Sequence, residues 1–185
     1  MPIEKVTNDD ASGTCLGGDH GATDVGPILA KVNEMIDELN ALRALTGGGD
    51  ARITDEGGVA VKFTNKTGSP SVKGEIVEAS DTTDRAVRVA IADALDPIGV
   101  MYEDGVADGE DVWVVISGIA DVLLKDGTAS TREHWVGVSD AAGRADATTA
   151  TPPGAVLAHF REIGHALETK GSGTDVLCRI AMHFN

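Results

Sequence analysis

The segment 109–121 constrains the fold more than any other part of the chain. An acidic turn is followed by a run of mostly β-branched residues at 112–116, then by Gly118 and a second apolar run. β-Branched and aromatic side chains favour extended backbone, because they pack well on a pleated surface. Gly118 divides the segment, so we expect two short strands at 112–117 and 119–124.

From Val59 onward, apolar residues recur with a period of two, the spacing that places side chains on one face of a strand. The predicted strands, separated by turn residues, are 59–64, 72–79, 87–91, 98–102, 112–117, 119–124, 134–138, 156–167 and 176–184. No long helical pattern alternates with them, which argues against a parallel α/β sheet. We therefore predict an all-β fold, a compact antiparallel sandwich or barrel of about nine short strands.

A different pattern occupies residues 25–46, where apolar residues step by three and four, as in the a and d positions of a coiled coil. Asp24 is a candidate N-cap, Pro27 suits the first turn, and the glycines at 47–49 end the helix. The candidate oligomer interface consists of Val25, Ile28, Val32, Met35, Leu39 and Leu42. The helix either packs on its own domain or self-associates, most simply as a trimeric bundle. The glycine break favours self-association, because it detaches the helix from the β segment.

These patterns divide the chain into four segments. Residues 1–24 are polar and glycine-rich, and we expect an N-terminal arm that becomes ordered only against a partner. Residues 25–46 form the amphipathic helix, residues 47–58 a glycine-rich linker, and residues 59–185 the β domain.

Composition narrows the range of partners. The net charge of −15 disfavours direct binding of nucleic acid, because phosphate contacts need clustered Lys and Arg. The chain lacks an apolar stretch long enough to cross a bilayer, and it lacks a signal-peptide pattern, so we expect synthesis in a cytoplasm and no membrane partner. Cys15 and Cys178 are too few to form a disulfide framework.

Motifs typical of catalysis are missing from the sequence. The five histidines are His20, His134, His159, His165 and His183, and none belongs to an HExxH pattern. There is no GxSxG elbow and no Walker A sequence. His159 and His165, six residues apart, would share one face of a strand, but zinc needs further ligands. We therefore expect no enzyme activity, no cofactor and no metal site.

An acidic cluster lies between the predicted strands at 98–102 and 112–117. It consists of Asp104, Asp108, Glu110 and Asp111, around two glycines. Calcium binding is conceivable, because hard cations require several oxygen ligands, but the spacing does not match an EF-hand loop. A solvated acidic hairpin is the simpler interpretation.

Short, glycine-anchored phrases appear in a fixed order through the β segment, at 98–102, 104–105, 109–112, 118–122, 136–145, 163–168 and 176–184. They include the forms G-x-V, D-x-x-G-R-A and I-G-x-A-L-E. In this order they resemble the capsid decoration, or cement, proteins of tailed bacteriophages and related viruses. The resemblance covers roughly residues 59–185 and does not include residues 1–46.

The resemblance implies a structural role on a virion. Such proteins bind the outer surface of the expanded head, often as trimers, and clamp neighbouring major capsid subunits together. The implied partners are the major capsid protein and further copies of this chain in a homotrimer. The resemblance also implies an arm that orders on binding, sometimes by adding a strand to a capsid sheet.

A coiled-coil stem followed by a β head also fits a trimeric virion fibre or spike that binds a receptor or glycan. This alternative needs an exposed aromatic residue for sugar stacking, and the only large candidates are Trp113 and Trp135. Trp113 lies in an apolar run and is expected in the core, whereas Trp135 follows His134 and is the better candidate. A small trimeric hydrolase with its site between subunits is the remaining class.

Overall fold

A computed structural model describes residues 26–45, 49–151 and 154–183 of the chain. The chain divides into two compact units at the boundary between Asp50 and Ala51, and each is described by itself. The described part of the first unit contains helix α1 (Gly26–Leu45), inside the range predicted from the apolar spacing.

The second unit is built mainly of strands. Its described residues form β1 (Ala51–Ile53), β2 (Gly58–Asn65), β3 (Ile76–Ala79), β4 (Ala86–Val89), β5 (Pro97–Met101), β6 (Asp111–Leu123), β7 (Trp135–Val138), β8 (Ala145–Thr149), helix α2 (Val156–Phe160), β9 (Glu162–Ala166) and β10 (Leu177–Met182). The all-β prediction is confirmed.

Five strands close into a barrel in the order β2, β4, β3, β5, β6, with β6 pairing back to β2. Strand β1 lies outside β2, and strands β10, β9, β7 and β8 extend the sheet from β6. Among the named strands of the described chain, β2 and β4 form the one parallel pair, through Thr64 and Ala86. The fold is therefore a small barrel with a four-stranded extension.

Strand β6 joins these two parts, and it corrects the prediction of two separate strands at 112–117 and 119–124. Gly118 lies inside β6 with φ of 85°, a backbone conformation that favours glycine. It pairs with Gly58 of β2 and with Met182 of β10. A side chain at position 118 would lie 2.7 Å from the carbonyl oxygen of Gly57. Glycine thus bends a continuous strand where its pairing changes from the barrel to the extension.

The predicted strand at 156–167 is also wrong in its first half, where helix α2 precedes β9. Its residues include Ala and Leu, which favour helix, and they lack the alternation of a half-buried strand. Two strands were not predicted. Strand β1 lies within the range expected to be a linker, and β8 (Ala145–Thr149) begins with Ala, Asp and Ala, which do not favour strands.

The core contains two clusters of buried side chains. Along barrel strands β3, β5 and β6, neighbouring residues belong alternately to one cluster and to the other. One contains Val77, Val87, Met101, Val112 and Val114, all of them buried. The other contains their neighbours Ile76, Val100 and Val115, and continues through Val136, Ile163 and Ile180 of the extension. Barrel strands β3, β5 and β6 therefore bury both faces, and the second cluster makes the barrel and the extension one packed body.

Candidate interaction surfaces

Helix α1 carries part of the predicted oligomer interface. Val32, Met35 and Leu39 are 38%, 54% and 48% exposed, and their spacing places them on one face of the helix. Val25 lies outside the described residues, and so do the side chains of Ile28 and Leu42, although both belong to α1. The self-association of this helix stays a prediction.

Helix α2 presents an apolar surface that sequence reasoning missed. Val156, Leu157 and Phe160 are 71%, 58% and 46% exposed, and none of the five residues of α2 is buried. We call these three side chains the α2 face. So short a helix gains little stability by itself, so it depends on packing against other parts of the molecule or against a partner. The spacing of the three residues is helical rather than alternating, and this was the available signal.

A second exposed segment lies beside the α2 face. Arg161, which follows α2, forms an ion pair with Asp93, with 2.6 Å between Nη1 and Oδ1. The backbone N–H of Asp93 donates to the carbonyl oxygen of Ser139 at 2.8 Å. Ile91 and Leu95, two residues to either side of Asp93, are 58% and 41% exposed. These contacts place two further exposed apolar residues near α2.

A pocket of about 170 Å³ lies between α2 and the extension strands. Gly137 of β7 pairs with Glu162 of β9 on one side and with Asp146 of β8 on the other. Paired residues of neighbouring strands project from the same face, so the two carboxylates flank a position without a side chain. Trp135 and Arg161 also line this pocket, which we call the Trp135 pocket.

The carboxylates of the pocket are poorly exposed to water. The Glu162 side chain is 3% exposed, and its Oε1 lies 3.2 Å from Nδ1 of His159. The Oδ1 atom of Asp146 is buried and has no hydrogen-bond partner among the described residues. Arg161 directs its guanidinium to Asp93. The pocket therefore places two carboxylates beside an aromatic ring, and the one guanidinium in its lining, that of Arg161, is paired with Asp93.

Two histidine rings lie close to Trp135 and to each other. The His165 ring lies 4.2 Å from that of Trp135 and 5.0 Å from that of His183, measured between centroids. Burial lowers the pKa of His183, and the neighbouring His165 lowers it further, whereas Glu162 opposes the shift. The expectation that His159 and His165 share a strand face is wrong, because His159 belongs to α2.

The other histidines show no shared site within the described part of the chain. His134 lies close to the carbonyl oxygen of Ala147, with 3.3 Å to Nδ1. His20 lies outside the described residues. Within the described ranges, no group of three or more His, Cys, Asp or Glu side chains is arranged to hold a metal ion.

The acidic cluster at 104–111 takes part in local structure. Asp108 accepts a hydrogen bond from the backbone N–H of Gly68 at 2.9 Å, and Asp104 accepts one from the backbone N–H of Lys73 at 3.4 Å. These contacts fix the hairpin against the loop that precedes β3. Both carboxylates therefore act as local hydrogen-bond acceptors.

Trp113 differs from Trp135 in its surroundings. It is partly buried against the larger core cluster, and the guanidinium carbon of Arg52 lies 4.4 Å from its ring centroid. Arg52 also contacts Glu103, with 3.4 Å between Nη2 and Oε1. These contacts hold β1 against the barrel and explain why part of the predicted linker is a strand.

Cys178 forms no disulfide within the described part of the chain. Cys178 is buried and free, and its Sγ lies 3.2 Å from Oγ of Ser130. Burial raises the pKa of the Cys178 thiol, which disfavours the reactive thiolate. Cys15 lies outside the described residues.

Comparison with known proteins finds no family model that matches the chain and no similar sequence among curated proteins. None of the helices in the described ranges combines the length and apolar character needed to cross a membrane.

Proposed function

We propose that this chain is a structural protein of a virus particle, a capsid decoration (cement) protein. It binds the outer surface of the head and stabilises contacts between major capsid subunits, without catalysis. The observation that carries the proposal is the α2 face, where three large apolar side chains are exposed on a packed β domain. An exposed apolar cluster of this kind is typical of a surface that another protein covers. The resemblance of residues 59–185 supports the same role.

The proposal assigns different tasks to the two helices. The stripe of Val32, Met35 and Leu39 on α1 joins copies of the chain, most simply as a homotrimer. The α2 face binds the major capsid protein. A trimer then presents three α2 faces, and linked weak contacts bind far more tightly than one because the later contacts form at high effective concentration.

The test is binding to purified, expanded capsid shells that lack this protein, measured by cosedimentation. We expect Leu157→Asp with Phe160→Asp to reduce bound protein at least about tenfold, because two apolar contacts are lost and two carboxylates must be desolvated. Ile53→Asp is the matched control, since Ile53 is 70% exposed but lies on β1. Equal binding of both variants would refute the role of the α2 face.

A second candidate function is a fibre or spike head that binds a receptor or glycan. The observation in its favour is that Trp135 lines a pocket together with Asp146 and Glu162, and aromatic rings with nearby acceptors suit sugars. A glycan array with the assembled protein tests this candidate. Saturable binding that Trp135→Ala removes would favour it over the capsid role.

A further inference from the structure

We propose that the Trp135 pocket accepts the guanidinium group of an arginine side chain from the partner protein that covers the α2 face. The inference rests on the proposed function, because it assumes that such a partner is bound. It goes further in naming the chemistry of the partner, an arginine flanked by apolar residues.

The first argument is the arrangement of charge across three strands. Asp146, Gly137 and Glu162 are neighbours in register, so the two carboxylates stand on either side of a residue that has no side chain. A planar guanidinium carries several N–H donors, which suits it to bridging carboxylates. A cation that entered here would stabilise Asp146, whose buried Oδ1 has no hydrogen-bond partner within the described part of the chain.

The second argument is that nearby cations are engaged elsewhere. Arg161 pairs with Asp93 at 2.6 Å, and Lys125 pairs with Asp140 at 2.6 Å. His159 contacts Glu162 from a half-exposed position, and Lys125 attracts Asp146 electrostatically while it hydrogen-bonds to Asp140. Neither cation forms a hydrogen bond with the buried Oδ1 of Asp146. The pocket thus retains negative charge that a partner can neutralise.

The third argument is that the same domain already shows the proposed arrangement at another place. Arg52 lies over the ring of Trp113, with its guanidinium carbon 4.4 Å from the centroid, and contacts the carboxylate of Glu103. A tryptophan, a carboxylate and an arginine thus form a stable group on β1 and the barrel. The Trp135 pocket supplies the tryptophan and carboxylates of such a group, and cation–π attraction adds to the ion pair.

The fourth argument is the position of the pocket beside the α2 face. Ala158 and Arg161 line it from the helix side. Gly137 allows this close packing, because a side chain there would lie 3.2 Å from the carbonyl oxygen of Arg161. A partner segment that covers Leu157 and Phe160 therefore passes directly beside the carboxylates.

The experiment titrates the full chain with N-acetyl-arginine amide and follows the two indole N–H signals by ¹H–¹⁵N NMR. The chain has two tryptophans, so Trp113 serves as an internal control in every spectrum. We expect a saturable shift of the Trp135 signal and no comparable shift of Trp113. N-Acetyl-citrulline amide, which has similar shape but no charge, should bind at least about tenfold more weakly, as expected for loss of a charge-assisted contact.

Variants locate the interaction. Asp146→Asn should weaken arginine amide binding about tenfold, whereas Asp55→Asn, which removes the same charge from the exposed turn before β2, should change it by less than about twofold. An unchanged Trp113 signal in each variant shows that the domain remains folded. Equal effects of the two variants would indicate that binding depends on the net charge of the protein rather than on Asp146, and would overturn the proposal.

The outcomes separate this inference from the proposed function. Absence of a Trp135 shift, or equal shifts with arginine and citrulline amides, overturns the arginine pocket even if the chain binds capsid shells. A Trp135 shift produced by methyl glycosides and not by arginine amide also overturns it and favours the glycan candidate. If arginine amide binds but shells do not, the pocket stands and the capsid assignment fails.

Discussion

Replacing Leu39 by Asp tests whether the exposed stripe of α1 holds copies of the chain together. Leu39 is 48% exposed, and Val32 and Met35 are exposed to similar degrees. Burying a whole side chain of this size stabilises by about 1.5–3 kcal/mol, so the exposed halves amount to about 1 kcal/mol each, or about 3 kcal/mol per helix. A bundle of such helices is therefore stable only when every stripe residue contributes.

The substitution removes about 1 kcal/mol of burial and requires desolvation of a carboxylate, for a total of about 3 kcal/mol per copy. Since each 1.4 kcal/mol corresponds to a factor of ten, the dissociation constant should rise about 100-fold per copy. Light scattering coupled to size exclusion would then report a monomer mass at concentrations where the wild type is oligomeric.

Ala30→Asp is the matched control, because Ala30 is exposed and lies outside the heptad seam of α1. It adds the same charge to the same helix and should leave the oligomer mass unchanged. A wild-type chain that is monomeric throughout the concentration range would refute the reasoning. So would a Leu39→Asp variant with the wild-type mass.

Three further predictions concern the β domain. Gly118→Ala should lower the free energy of unfolding in urea by about 3 kcal/mol, because φ is 85° and the new methyl would lie 2.7 Å from the oxygen of Gly57. The control, Gly127→Ala, is also at positive φ but has open space around it, and it should lower the free energy of unfolding by about 1 kcal/mol. Equal losses in the two variants would contradict the argument from the contact with Gly57. Burial raises the pKa of Glu75, although the nearby Arg144 opposes the shift, so the stability of the fold declines as pH rises above the ordinary pKa of 4.5. Glu75→Gln should therefore raise the thermal midpoint at neutral pH by a few degrees. A lower midpoint would contradict this prediction. Because the pKa of His183 is lowered in the folded protein, stability is lost as pH falls below the ordinary pKa of 6.5. His183→Gln should therefore reduce the change of the thermal midpoint with pH between about pH 7 and about pH 5. An unchanged slope of the midpoint against pH would contradict this prediction.

Periodicity in the sequence predicted the change from a helix to a strand-rich domain, because that change depends on local spacing. The heptad steps end before the triple glycine, and alternation begins at Val59. The sequence marks Gly118 as a special position, but it does not reveal which residues lie next to Gly118 in the folded protein. Whether a glycine ends a strand or bends one depends on pairing with β2 and β10, which local sequence does not contain.

The interaction surfaces were less predictable for the same reason. The α2 face belongs to a helix of five residues, so its helical spacing is a weak signal in a segment surrounded by predicted strands. The Trp135 pocket depends on register, since Asp146 and Glu162 are distant in sequence and meet only across Gly137. The sequence marks Trp135 as a candidate for exposure, but nothing in its neighbourhood indicates the carboxylates beside it.

The shared position of β6 determines when this domain can form during synthesis. A growing chain that ends before residue 111 contains four of the five barrel strands but lacks the one that closes the ring. The extension forms later than the barrel, because β10 pairs with β6 across more than fifty intervening residues. Contacts so distant along the chain slow folding, so the nascent domain remains open, with apolar strand edges exposed, until β10 has emerged from the ribosome.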